Sequence, residues 1–459
     1  MSDTVVVQDR LLFRSLSLEN VRAFGSGQTL SLVDGKDRPS PWTLILGENG
    51  VGKTTVMQAL ARMRPIPAFS RDASPGDAGE DAGAPSWSEP ELSRHENEEI
   101  YRFVRTGQGS VTTRIGASLQ AASGHVFDIG VVCESKSDKL VSVDFKQAEH
   151  GLLAEGPLVI GYGAARHVGH GNSTVVAERD PTDPLFSEAI DLFDAEEILG
   201  IMHYAALSGG RKRDRTRLNT LKLAVADLIP DMAASDIEVR GPRVPGRPES
   251  EAGVHVRTPS GIIPLAGLSH GYQTVFAWTV DLAWRLFGAF PQSQNPLRER
   301  AVVLIDEIDL HLHPRWQRSL RRHLTSHFPG VQFVATTHSP ITAQETLSAG
   351  GNVAVVRWEG DHAVILNNPL PPREWRFDQV LTSELFGFDS SRGPEAEALM
   401  NERLALLRKE KLTPRERRRL GELDAFTETL PTARTPDEQE FEDLMRRIAQ
   451  HEKAGAAAR

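Results

Sequence analysis

The stretch WTLILGENGVGKTTVMQALARM, residues 42–63, restricts the fold more than any other. An apolar run ends in a glycine-rich turn, and the turn opens directly into a segment that reads as a helix. GENGVGKT, residues 47–54, fits the phosphate-binding loop pattern in the strand-to-helix setting that its chemistry requires. Backbone N–H groups from Asn49 to Lys53 can surround phosphate oxygens, and the helix N-terminus adds partial positive charge. Lys53 is expected to meet β and γ oxygens, and Thr54 to offer a hydroxyl to magnesium. The expected cradle is Gly47, Asn49, Gly50, Gly52, Lys53, Thr54 and Thr55.

A second half of the same chemistry lies some 250 residues on. AVVLIDEID, residues 301–309, is an apolar strand ending in Asp306, placed to hold hydrated magnesium, and Glu307, placed to orient or deprotonate an attacking water. The next apolar strand ends in FVATTHSP, where His338 can contact a γ-phosphate. LSHGYQ, residues 268–273, precedes an apolar helix over residues 274–287 and looks like another phosphate-directed helix start. Other histidines read as bland: His311 and His313 in HLHP have no further ligand cluster, His167 and His170 read as loop, and His270 has no role assigned.

Alternating strands and helices around these motifs predict an α/β fold. At 459 residues the chain is about three times a ~150-residue domain. The expected order is a first part of the ATPase core over 11–63, a flexible insertion over 64–110, a β-rich part over 111–183, a helical lobe over 184–232, a second part of the core over 233–370 and a C-terminal helical module over 371–459. Pro, Gly, Ala and acidic residues after Met63 are too poor in apolar surface to order themselves. In the tail, Thr413 with Glu416 and Thr435 with Glu438 have the capping-box form, and Phe441, Leu444, Met445 and Ile448 form one apolar stripe. A single cysteine, Cys133, excludes an internal disulfide framework. With no leader-like start and no apolar run approaching ~20 residues, the chain reads as cytoplasmic with no membrane partner.

The motifs GENGVGKTT, LSHGYQ, LIDEIDLHLHP and ATTHSP, in that order, resemble the ABC-type ATPases, in particular the soluble branch containing RecF, SMC-like and OLD-family proteins. LENVRAF strengthens the resemblance, which covers about residues 11–358 without the insertions. It implies that Arg22 approaches the nucleotide. It also implies that Ser269, Gly271 and Gln273 belong to a signature loop facing the γ-phosphate of ATP held by a second copy, so that a homodimer or higher oligomer forms around ATP. The family's glutamine loop is missing; IGYGAARH, with Tyr162 and Arg166, stands in its place.

Residues 377–399, FDQVLTSELFGFDSSRGPEAEAL, resemble the tail of Septu-type anti-phage ATPases. That likeness implies a separate nuclease partner, bound through the C-terminal helices. The alternative is a RecF-like DNA-repair ATPase, with a transporter ATPase third. A built-in nuclease is not expected: after Trp358, EGDHAV offers an isolated Glu359 and Asp361, with no later Asp-x-Asp. The run RKRDRTRLNTLK, residues 211–222, carries six cations. It is either a solvated helix face or a track for DNA or RNA. The net charge of −10 confines nucleic-acid contact to such a local patch.

Overall fold

The computed structural model describes residues 10–68, 87–107, 109–137, 139–146, 156–166, 179–208, 212–229, 232–241, 252–259, 261–371, 374–409 and 411–430. The strands are β1 (Leu12–Glu19), β2 (Gln28–Ser31), β3 (Trp42–Gly47), β4 (Pro65–Ala68), β5 (Trp87–Pro90), β6 (Ser110–Gln120), β7 (Val126–Lys136), β8 (Lys139–Lys146), β9 (Val159–Tyr162), β10 (Ile237–Arg240), β11 (Gly253–Thr258), β12 (Gly261–Pro264), β13 (Ala301–Ile305), β14 (Val331–Thr337), β15 (Asn352–Glu359) and β16 (His362–Asn367). The helices used below are α1 (Lys53–Arg62), α2 (Asn97–Tyr101), α3 (Ala195–Ser208), α4 (Lys212–Leu228) and α5 (His270–Ala289).

A six-stranded sheet in the order β16-β15-β3-β14-β13-β9 carries the site. Its pairings are parallel except for the β15–β16 hairpin. Strands β3, β13 and β14 are mostly apolar and, except for Gly47, buried along their length because both faces of the sheet are covered. Successive residues go to opposite cores: Leu44, Leu46, Val303, Ile305, Phe333 and Ala335 pack with α3, α4 and α5. Ile45, Val302, Leu304 and Val334 pack instead with α1 and a second sheet. That second sheet has the order β2-β1-β6-β7-β8 and is antiparallel. Gln332, fully buried in β14, ties the two sheets: its amide oxygen accepts from Phe13 N at 2.8 Å and its nitrogen donates to Phe13 O at 2.8 Å. Cys133 is buried in β7, where burial and Asp144 push its thiol up to about 12.

The described residues add detail to three of the expected segments. The flexible insertion expected over 64–110 holds ordered parts: β4 pairs with β5, and Leu92, Ile100 and Phe103 are core residues. Chain 102–105 is pinned to the residues before the phosphate loop, because Arg22 N donates to Phe103 O and Arg105 N to Asn20 O. The apolar residues that order it lie after the Gly/Pro/acid-rich run, most of which falls outside the described residues. The β-rich part over 111–183 serves two sheets, since β6 to β8 pair beside β1 while β9 joins the central sheet. Finally, the first compact unit runs through Gly387, because Val380 and Leu385 are buried in the central core.

The second unit, from Phe388, is described by itself. It contains the helices Pro394–Leu407 and Pro414–Thr429. Thr413 and Glu416 form the expected capping box, and Leu406 and Leu423 are buried. Arg403–Asp424 and Arg419–Glu402 hydrogen bonds join the pair. The Thr435 cap and the stripe from Phe441 to Ile448 lie outside the described residues.

Candidate nucleotide site

The phosphate loop leaves β3 at Gly47 and enters α1 at Lys53. Gly52 caps α1 in the left-handed region at φ 107°, where a Cβ would fall 2.9 Å from the Phe24 ring. Glycine there answers both a backbone and a space requirement. Gly50 also has positive φ, and Asn49 is exposed in the loop. Lys53 is buried at 7% exposure, with Nζ donating to Gly47 O at 2.9 Å and Glu48 O at 2.7 Å. The loop thus holds its own ammonium ready at its centre. Burial lowers the Lys53 pKa, while Asp306 and Glu307 oppose that shift.

Thr54 Oγ1 donates to Asp306 Oδ2 at 2.7 Å, bringing together two residues 252 positions apart. A hydroxyl and a carboxylate are hard oxygen donors, the few protein ligands that magnesium takes beside phosphate and water. These residues fit magnesium. Asp306 is fixed by Tyr162 O, which accepts from its N–H, and by Thr336 Oγ1, which donates to Oδ1. Thr336 Oγ1 also accepts from Glu307 N at 2.8 Å. Glu307 turns out of the strand with φ 49°, and Arg166 donates to its carbonyl oxygen. His338 follows β14 on the exposed side. Its pKa is lowered by burial and then by the Lys53 charge, against the pull of Glu307, Asp309 and Asp306.

Arg22 reaches the first turn of α1: its guanidinium lies 3.4 Å from Thr55 Oγ1 and 3.3 Å from Gln58 Oε1. Beside it an open pocket of about 550 Å³ is walled by Tyr101, Arg102, Arg105 and Trp358, among others. Two of its arginines and the tyrosine come from the segment that composition alone read as flexible.

The signature loop has different neighbours. Ser269 is exposed at the N-cap of α5 and makes no side-chain cap bond. A Cβ on Gly271 would meet His311 O at 2.5 Å, so glycine lets this loop pack on the turn after β13. His270 and His311 rings lie edge to face at 5.0 Å, and Tyr272 packs on Trp316 at 4.4 Å. His313 Nδ1 caps the following turn through Arg315 N. Gln273, expected at the nucleotide, donates instead to Ala266 O at 2.9 Å and Leu268 O at 2.8 Å, bracing its own loop.

Sequence reading missed Thr336 and the buried trio Tyr162–Asp281–Arg285. Tyr162 OH donates to Asp281 Oδ2 at 2.7 Å, and Arg285 Nε to the same oxygen at 2.7 Å. Two threonines ending an apolar strand in ATTHSP, and one aspartate inside an apolar helix, were the available signals. The basic run also contracts. Arg217 donates to the carbonyls of Pro291 and Ser293, and Lys222 Nζ to Ile237 O at 2.7 Å. Of the other four cations, Arg211 lies outside the described residues.

These features resemble those of ABC/AAA-type ATPase domains. A family model described as "AAA domain" matches residues 15–126, and another, "AAA domain, putative AbiEii toxin, Type IV TA system", matches residues 210–343. The chain resembles "Septu protein PtuA" of Bacillus mycoides (strain KBAB4), with 24% identity over 437 residues, 92% of this chain and 48% of that protein. It also matches "Retron Vc95 probable ATPase" of Vibrio cholerae serotype O1 biovar El Tor, 47% identical over 17% of this chain and 15% of the other. "Retron Ec83 probable ATPase" of Escherichia coli is 51% identical over 16% and 14%. The chain thus spans about half, or less, of the length of these relatives. Solved structures matched include an SmcHead bound to the C-winged helix domain of ScpA (TM-score 0.42, 13% identity, 78% of this chain and 97% of that one). Another is the SMC head domain from Thermotoga maritima (TM-score 0.38, 15% identity, 78% and 100%). No helix among the described residues is long and apolar enough to cross a membrane.

Proposed function

We propose that the chain binds and hydrolyses ATP, closes as a homodimer around it, and so regulates a separate nuclease in an anti-phage system. The observation that carries the nucleotide reading is the convergence of Lys53, Thr54, Asp306 and Glu307 from α1 and the end of β13. Magnesium, when bound, would neutralise charge on the β and γ phosphoryl oxygens, held by Thr54 and Asp306. Lys53 would exchange its two loop carbonyls for phosphate oxygens. Glu307 would take a proton from the attacking water, giving ADP and phosphate, while His338 would face the γ-phosphate. Ser269 and Gly271 would complete the site of the second copy: the Ser269 hydroxyl is exposed and not used as a cap. ATP would then act as a clamp that favours the closed pair until hydrolysis.

The defence reading rests on the likeness to the Septu and retron proteins. The C-terminal helices would bind the nuclease. The test expresses the chain with its neighbouring genes and challenges the cells with phage. Wild type should protect, and both Lys53→Ala and a chain ending after Gly393 should lose protection, the latter with ATP turnover retained. A truncated chain that still protects removes the tail from partner binding. Loss of DNA repair with no effect on phage favours the repair reading instead.

A further inference from the structure

Arg166 sits just after β9, 5% exposed, where a guanidinium is costly to bury. Its hydrogen bond among the described residues runs to a backbone carbonyl, that of Glu307, rather than to a carboxylate. Its Nε is buried and has no partner among the described residues. Burial draws its pKa down to about 10, and Asp309, Asp306 and Glu307 pull in the opposite direction. Arg166 is therefore a cation enclosed by the acidic end of β13, with part of its donor capacity unspent.

The residue it holds is itself under constraint. Glu307 is not glycine, yet it adopts φ 49°, a region costly for residues with a Cβ. Left-handed geometry at this point turns the chain sharply after Asp306, and it persists only where neighbours over-determine it. Two neighbours do so: Thr336 Oγ1 takes the Glu307 N–H, and Arg166 takes the Glu307 carbonyl. The backbone groups on both sides of the Glu307 Cα are thereby held, which sets the direction of its Cα–Cβ bond.

We infer that Arg166 is a positioning residue for Glu307, clamping its carbonyl so that the carboxylate is presented to the attacking water in one orientation. The inference rests on the proposed role of Glu307 as the base. A small misplacement of a catalytic group costs rate while leaving ground-state binding nearly intact. Arg166→Gln should therefore lower kcat by roughly 100-fold with KM for ATP within about 3-fold of wild type. Arg166→Lys, a cation with one compact donor head, should fall between them.

The deciding measurement is the double variant under single-turnover conditions. Because Arg166 acts through Glu307, Arg166→Gln combined with Glu307→Gln should be no slower than Glu307→Gln alone, within about 2-fold. Rate losses that multiply, a raised KM with unchanged kcat, or wild-type kcat in Arg166→Gln beside an impaired Glu307→Gln overturn the positioning role alone. Wild-type turnover in Glu307→Gln removes the base itself, and the inference falls with it. Should Arg166→Gln fail to fold, the same cycle run with Arg166→Lys decides the matter.

Discussion

The phosphate cradle and the signature loop are both glycine-containing helix starts, yet they are built in opposite ways. In the cradle two key polar groups already have internal partners: Lys53 holds two loop carbonyls, and Thr54 holds Asp306. In the signature loop, Gln273 braces the backbone while Ser269 stands exposed at the cap position. The difference teaches that one helix start is tied to its own chain, while the other is stiffened from behind and leaves the Ser269 side chain exposed. An arrangement of that kind suits a surface that meets another copy.

The largest effect should come from the cradle side. Glu307→Gln should lower turnover by about 10²–10⁴-fold, the range of general-base catalysis, with ATP affinity nearly unchanged. Phosphate release and nucleotide titration read the two quantities separately. Lys53→Ala should instead abolish most binding, since its charge-assisted hydrogen bonds to phosphate have no substitute. Equal binding loss in both variants would erase the division of labour between them.

An intermediate effect tests whether the two regions act across copies. Lys53→Ala and Ser269→Arg should each be inactive alone. Mixed at equal amounts with verified subunit exchange, they should regain roughly a quarter of wild-type turnover: half the dimers are heterodimers, and each has one intact site of two. No recovery of hydrolysis, and none of ATP-dependent closure, would place Ser269 in its own subunit's site. The smallest effect belongs to the brace. Gln273→Ala removes two hydrogen bonds, each worth about 1 kcal/mol, so it should weaken ATP-dependent dimerisation by up to about 30-fold per copy and leave monomer ATP affinity unchanged. Size-exclusion in ATP and nucleotide titration distinguish that result from a direct contact, which would lower both.

Much of the cradle was legible in sequence because its geometry is local. Gly50 and Gly52 carry the positive φ that a loop closing on a helix start demands, and Lys53 and Thr54 follow within the same turn. The partners of Gln273, Ala266 O and Leu268 O, were not legible for the complementary reason: a motif letter does not say which way a side chain points. Nor did the basic run show that Arg215, Arg217 and Lys222 donate to backbone carbonyls of neighbouring segments. The segment from residue 97 to 106 shows the same limit, since composition upstream of it hid the apolar residues that pack it beside Arg22.

The sequence by itself determined the α/β class, the glycine-rich loop between β3 and α1, the acidic strand end and the capped tail helix. Each is written in contiguous residues whose spacing matches a helix, a strand or a turn. Only the tertiary structure decided that Thr336 serves Asp306 and Glu307 together, that Tyr162 reaches Asp281 on α5, and that Arg166 lies buried against the Glu307 carbonyl. Those contacts join β14 to β13, and β9 with the turn after it to α5 and to the end of β13. Strand order and register bring such residues together, and neither is encoded in the spacing along any one segment.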